Sequence, residues 1–179
     1  MAELTCGDGS VLVVRPVAVL DRDGAAYEVT LELLLDGAVF GQVGERCGFF
    51  LATALRRLAG PVSTLESGVR GWAAAAGHDP DATWTEAERY LPRDRELLAL
   101  LARDPDDVTS AGELRIRLRS DRRWVCGDPR GRWELQQTAV VEAWGDGGRG
   151  VRAVLDHAGL GAVLTTLLAE CAAVGPAPP

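Results

Sequence analysis

The alternation of apolar and charged residues between positions 112 and 144 constrains the fold of this chain more than any other feature. In the run ELRIRLR, single charged residues separate Leu114, Ile116 and Leu118. Successive residues of a strand point to opposite faces, so this period of two predicts a strand with one apolar face and one arginine-bearing face. A second alternating run covers residues 132–144, and the turn formers GDPRG separate the two runs. The stretch therefore predicts a β-meander.

The remaining patterns predict further strands and two amphipathic helices. Strands are expected at residues 11–20, 27–33, 38–43 and 151–156, with hairpin turns at Asp21–Gly24 and Asp36–Gly37. Apolar residues at helical spacing predict helices over residues 47–58 and 160–171. Residues 61–111 are expected to be a helical insertion, whose last helix begins at Asp94 and packs through the following leucines, Leu97, Leu98, Leu100 and Leu101.

This order of elements predicts an α+β fold. We expect one antiparallel sheet of about seven strands, with both amphipathic helices on one face and the helical insertion at one end. A chain of 179 residues is long enough for one domain with a substantial core, which we assign to residues 1–175. Residues 176–179 are expected to be a disordered tail. We find no internal repeat of fixed period.

The composition excludes several chemistries. The chain has no lysine, so it lacks the lysine of a Walker A loop, the nucleotide-binding lysine of kinases and any lysine for a Schiff base. Its four cysteines are far apart in sequence, and Cys47 and Cys171 fall on the apolar faces of predicted helices, so both are expected to be core thiols. We expect no metal ion, nucleotide or other cofactor.

The cellular location follows from two observations. No uninterrupted apolar run reaches the roughly 18 residues of a membrane span. The amino terminus, MAELTC, has neither the basic start nor the apolar stretch of a signal peptide. A cytoplasmic protein is therefore expected.

The two histidines are the only candidates for acid–base chemistry of the usual kind. His78 is followed by Asp79 and Asp81, and His157 follows Asp156. Either histidine, with its neighbouring aspartates, could be the catalytic group of a small metal-independent hydrolase, since neutral imidazole can act as a general base. Neither group has the spacing of a metal site, and His157, at a junction between a strand and a helix, also suits a role in helix capping.

The arginine-bearing face of the meander is the candidate binding surface. Residues 113–132 contain seven arginines and three acidic residues, in a chain of net charge −7. Arg115, Arg117 and Arg119 would project about 6–7 Å apart along one strand face, which suits carboxylates or phosphates. They could bind an acidic protein or a nucleic-acid backbone. Alternatively, they could pair internally with Glu134 and Glu142 on the next strand, or be covered by the acidic insertion.

Trp144 completes this surface. Strict alternation places it on the same outward face as Glu142, whereas a bulge would turn it inward. Outward tryptophans near arginines are typical anchors of protein interfaces. The leading hypothesis is therefore a cytosolic protein-interaction module, such as an immunity-type or regulatory protein, that binds an acidic partner through Arg115, Arg117, Arg119 and Trp144. The hydrolase and, less favoured, a nucleic-acid-backbone binder are the alternatives.

Overall fold

The computed structural model describes residues 2–44, 46–59, 94–101, 112–126, 132–145 and 148–175. These residues form an α+β fold with two antiparallel sheets of four strands each and two helices. The first sheet and its helix consist of β1 (Ala2–Thr5), β2 (Val11–Leu20), β3 (Ala26–Leu35), β4 (Ala38–Val43) and α1 (Cys47–Ala59). The second sheet and its helix consist of β5 (Asp94–Leu101), β6 (Glu113–Val125), β7 (Arg132–Trp144), β8 (Gly150–Asp156) and α2 (His157–Val174).

Within the described residues, the two halves of the chain repeat the same unit of four strands and a helix. The central strand pairs have equivalent registers, since Val14 faces Leu33 in the first sheet and Ile116 faces Val141 in the second. All four of these side chains are buried, at 2% exposure or less. Each helix buries four residues, and the spacing between them is the same in both helices. They are Cys47, Leu51, Ala54 and Leu58 in α1, and Leu160, Leu164, Leu167 and Cys171 in α2.

Both halves share one hydrophobic core. The buried side chains of the two sheets and the two helices belong to a single contiguous cluster. Helix α1 contacts β3 of its own sheet and β5 of the other, while α2 contacts three strands of the first sheet and two of the second. The helices also contact each other and run antiparallel, since the Nε2 atom of His157 at the start of α2 lies 3.3 Å from the carbonyl oxygen of Leu58 near the end of α1.

The sheets also meet at their edges. Next to β1, Cys6 forms a bridge with Ala153 of β8, and the Gly7 N–H donates to the Arg152 carbonyl at 2.9 Å. After β4, the Gly44 N–H donates to the Leu101 carbonyl of β5 at 2.9 Å. These bonds satisfy backbone groups that an isolated edge strand would leave open.

Several predictions from the sequence are confirmed. The meander has the predicted faces, because Leu114, Ile116 and Leu118 are buried at 1%, 2% and 4% exposure. Both hairpin turns form, and the second has positive φ at Asp36 and Gly37. Helix α1 begins at the predicted residue, and α2 extends the predicted span by three residues at each end, from His157 to Val174.

The prediction of one sheet of about seven strands is wrong, because the described strands form two sheets of four. The prediction of a helix beginning at Asp94 is also wrong, because Asp94–Leu101 is strand β5. A register shift between Glu96 and Leu98 buries Leu97 and Leu98 in succession, and this bulge imitates the spacing of a helix. Pairing with β6 outweighs the helix propensity of leucine. The other residues assigned to a helical insertion, 61–93 and 102–111, and the tail at 176–179 lie outside the described residues.

Helix α2 is apolar enough to resemble a membrane span. Within the described residues it alone has the length and mean hydropathy of one, with a value of 1.5 over 18 residues. Its buried stripe packs in the shared core, as Leu160, Leu164 and Leu167 are all exposed by 1% or less. The exposed side carries mainly alanine and threonine rather than charged residues.

The close approach of Gly145, the residue after β7, to β4 yields a testable prediction. A Cβ atom on Gly145 would overlap the carbonyl oxygen and ring of Phe40, so Gly145→Ala should lower the free energy of unfolding by about 1–3 kcal/mol. In α2, a Cβ atom on Gly161 would lie 3.7 Å from Leu58 Cδ2, an ordinary contact. Gly161→Ala is the matched control and should stabilise the chain by up to about 1 kcal/mol. Urea unfolding of both variants measures the difference, and equal stabilities would contradict this packing.

Candidate functional site

The outward side of the second sheet carries the candidate binding residues and is called the outer face below. Strand register arranges its side chains in rows across the sheet. In one row, Trp144 of β7 lies between Gly150 of β8 and Glu113 of β6. In the next row, Glu142 lies between Arg152 and Arg115. The outer face comprises Leu101, Glu113, Arg115, Arg117, Arg119, Val140, Glu142, Trp144, Gly150, Arg152 and Val154.

The arginines of the outer face are paired with acidic side chains. Glu142 binds two of them, with 2.6 Å between its Oε2 and Arg117 Nη2 and 3.0 Å between its Oε1 and Arg152 Nη2. Arg115 pairs with Glu113 on its own strand. Arg119 Nε lies 2.8 Å from Asp121 Oδ2. The predicted pairing with Glu142 thus occurs, while the side chain of Glu134 lies outside the described ones.

These ion pairs differ in how well solvent can compete with them. The Glu142 side chain is 16% exposed and accepts from two guanidinium groups, which holds Arg117 and Arg152 in place. Arg119 and Asp121 are 59% and 55% exposed, so their pair contributes little to stability. A guanidinium has five N–H donors, so each arginine keeps donors for a further acceptor.

Apolar side chains lie on both sides of the arginines. Trp144 is 46% exposed, Leu101 is 59% exposed and Val154 is 60% exposed. The indole of Trp144 covers Gly150, where a Cβ atom would overlap the ring. This packing fixes the plane of the indole against the sheet while its other side remains open to solvent.

The candidate acid–base residues are placed differently. His78, Asp79 and Asp81 lie outside the described residues. Asp156 caps α2, because its Oδ1 accepts from the Gly159 N–H at 2.6 Å. The prediction that His157 caps this helix is therefore wrong, and its ring instead contacts the Leu58 carbonyl. Among the residues that the structure describes, no group of three or more histidine, cysteine, aspartate or glutamate side chains could hold a metal ion.

Sequence reasoning missed a cleft of about 500 Å³ at the other end of the helix pair, called the thiol cleft below. It lies between the start of β3, the start of α1 and the end of α2. One signal in the sequence pointed to it, since Phe49 is an aromatic residue outside the apolar stripe of α1. In the structure Phe49 is 62% exposed. The cleft is lined by Tyr27, Glu28, Val29, Arg46, Cys47, Gly48, Phe49, Leu168, Cys171, Ala172 and Gly175.

Two thiols form the buried side of this cleft. Cys47 is fully buried and Cys171 is 4% exposed. Burial raises the pKa of Cys47 to about 12, with a smaller contribution from the neighbouring Cys171, and burial raises the pKa of Cys171 to about 11. Both thiols are therefore uncharged at neutral pH, and this side of the cleft is apolar.

Comparisons with known proteins add no functional assignment. The chain matches no protein-family model, no curated protein and no solved structure. The site must therefore be interpreted from its own geometry.

The buried thiols predict a specific loss of stability at alkaline pH. In the unfolded chain a cysteine ionises near pH 8.5, whereas in the folded chain Cys47 and Cys171 stay protonated to higher pH. Their contribution is complete below about pH 8.5 and is lost as the pH rises towards about 11 and 12. The double variant Cys47→Ala, Cys171→Ala should show a shallower decline in the free energy of unfolding between pH 8 and 10.5 than the parent. Cys126→Ser, at an exposed thiol, is the control and should decline like the parent. Equal slopes for all three proteins would contradict burial of the two thiols.

Proposed function

We propose that this chain is a cytoplasmic protein-interaction module, of an immunity or regulatory type, that binds an acidic protein partner through the outer face. The observation that carries the proposal is the combination of exposed Trp144, Leu101 and Val154 with arginines already held by ion pairs. Tryptophan and arginine are the side chains that most often dominate binding energy in protein interfaces.

The ion pairs support binding rather than preclude it. Because Glu142 holds Arg117 and Arg152, less side-chain entropy is lost when these arginines meet a partner. The exposed pair between Arg119 and Asp121 is weak, so a partner carboxylate can take the place of Asp121 at little cost. An acidic partner surface therefore suits this face, with Trp144 supplying apolar area and the arginines supplying orientation.

The other two functions have less support. The two described residues of the hydrolase hypothesis, Asp156 and His157, are engaged in capping α2 and in contacting α1. A nucleic-acid backbone would require a strongly positive surface. The ion pairs of the outer face instead join four arginines to three acidic residues, and the chain carries a net charge of −7.

Truncation of Trp144 tests the proposal. The partner is the protein that co-purifies with the tagged chain from its native cells, identified by mass spectrometry and then produced separately. Trp144→Ala should weaken its binding by about 2 kcal/mol or more, roughly thirtyfold, with little change in melting temperature. Leu20→Ala is the matched control, because Leu20 is 58% exposed but lies on the first sheet, and should leave affinity unchanged. Isothermal titration calorimetry and thermal melts provide both readouts.

Two results would refute this assignment. Unchanged affinity in Trp144→Ala would remove the outer face as the binding site. A collapsed melting temperature in the same variant would show that the indole is needed for folding.

Charge steering adds a further expectation, since raising the salt concentration should slow association more than it speeds dissociation.

A further inference from the structure

We propose that the thiol cleft is a second binding site, which takes a small carboxylic acid with an apolar body. This inference rests on residues of β3, α1 and α2 and is independent of the outer face. Its volume of about 500 Å³ lies within the range of about 300–1,000 Å³ typical of small-molecule sites.

The lining defines the body of the ligand. Val29, Leu168 and Ala172 present aliphatic surface, and the ring of Phe49 forms part of the rim. On the inner side Cys171 is 4% exposed and Cys47 is fully buried, so no charged group lies beneath the ligand there. An aliphatic chain or aromatic ring would therefore leave water for an apolar environment, which is the main source of affinity in such sites.

Comparison of the two repeated units explains why this end of the helix pair is open. By their spacing in the two helices, Cys47 corresponds to Leu160 and Cys171 corresponds to Leu58. At the opposite end of the pair Leu58 reaches the start of α2, since its Cδ2 lies 3.7 Å from the Cβ position of Gly161. Cysteine is smaller than leucine, so the first end retains space that leucines occupy at the second.

Charge at the mouth selects the head group of the ligand. Arg46 is exposed, and among the described residues no acidic side chain forms an ion pair with its guanidinium. Glu28 also lines the cleft, but its Oε1 lies 3.3 Å from the backbone nitrogen of Arg46 and accepts from that N–H. Arg46 is thus the group with donors available to a ligand, and a guanidinium binds a carboxylate through two parallel hydrogen bonds. Tyr27, at the same mouth, adds an aromatic ring.

Three probes of equal chain length and different head group test this assignment on the full-length protein. Octanoate, octanol and octylamine are titrated by calorimetry, and the bound position is followed by chemical-shift changes of the backbone amides. Octanoate should bind saturably and at least about tenfold more tightly than octylamine, with amide shifts at the starts of β3 and α1 and the end of α2.

Variants separate the two parts of the site. Arg46→Asn removes the charge and suits the positive φ of 53° at this position, because asparagine tolerates the left-handed region. It should weaken octanoate at least about tenfold and leave octanol unchanged. Arg56→Gln, at an exposed arginine elsewhere on α1, is the control and should change neither. Cys171→Leu introduces the residue found at the corresponding position of α1 and should abolish binding of all three probes with the melting temperature retained.

Ala172→Leu fills the cleft from an exposed position and provides the same test if Cys171→Leu does not fold. Absence of saturable binding for all three probes, or octanoate binding that survives Ala172→Leu, would overturn the site. Tighter binding of octylamine than octanoate would overturn the choice of a carboxylic acid, because it would make Glu28 rather than Arg46 the recognising charge.

Discussion

The fold depends on the burial of the two helices against two sheets that neither helix could cover alone. Helix α1 has only four buried residues, and two of them, Cys47 and Ala54, are small. Its contacts with β5 and the contacts of α2 with β2 mean that each half supplies part of the core of the other. Removing either helix would expose the inner faces of both sheets, so the two halves are expected to fold and unfold together.

Comparison of the two repeated units shows where their surfaces differ. The equivalence of Val14 with Ile116 makes Val13 and Val17 on β2 the counterparts of Arg115 and Arg119 on β6. The outward side of the first sheet has the half-buried Val13 and Val17 and an ion pair between Arg15 and Glu32. At the corresponding positions of the second sheet Arg115 and Arg119 replace these valines, whereas Arg117 corresponds to Arg15 and is an arginine in both sheets. Since valine serves the fold at two of these positions, Arg115 and Arg119 are not required by the architecture, which favours the proposal that they bind a partner.

The sequence predicted the parts of the fold that local patterns determine. The alternation around Ile116 identifies β6 and its buried face, because apolar and charged residues follow each other at period two without interruption. Strand β1 was not predicted because its four residues are too few for a periodic signal. The repeat escaped detection because segments of unequal length separate its strands, so the distance along the chain between corresponding residues increases from β1 to α2. The ion pairs of Glu142 followed from alternation, whereas the thiol cleft did not, because Tyr27, Arg46 and Leu168 come together only through the packing of three separate elements.

The most direct test of the shared core is native-state hydrogen exchange at increasing denaturant, measured for the amides of the central strands β2, β3, β6 and β7 and of both helices. If one core holds the two halves together, the most protected amides of both halves should converge on the same free energy of opening, equal to that of global unfolding. Two groups of amides, one from each half, with different opening free energies would contradict the account, because they would show that each sheet and its helix are stable without the other.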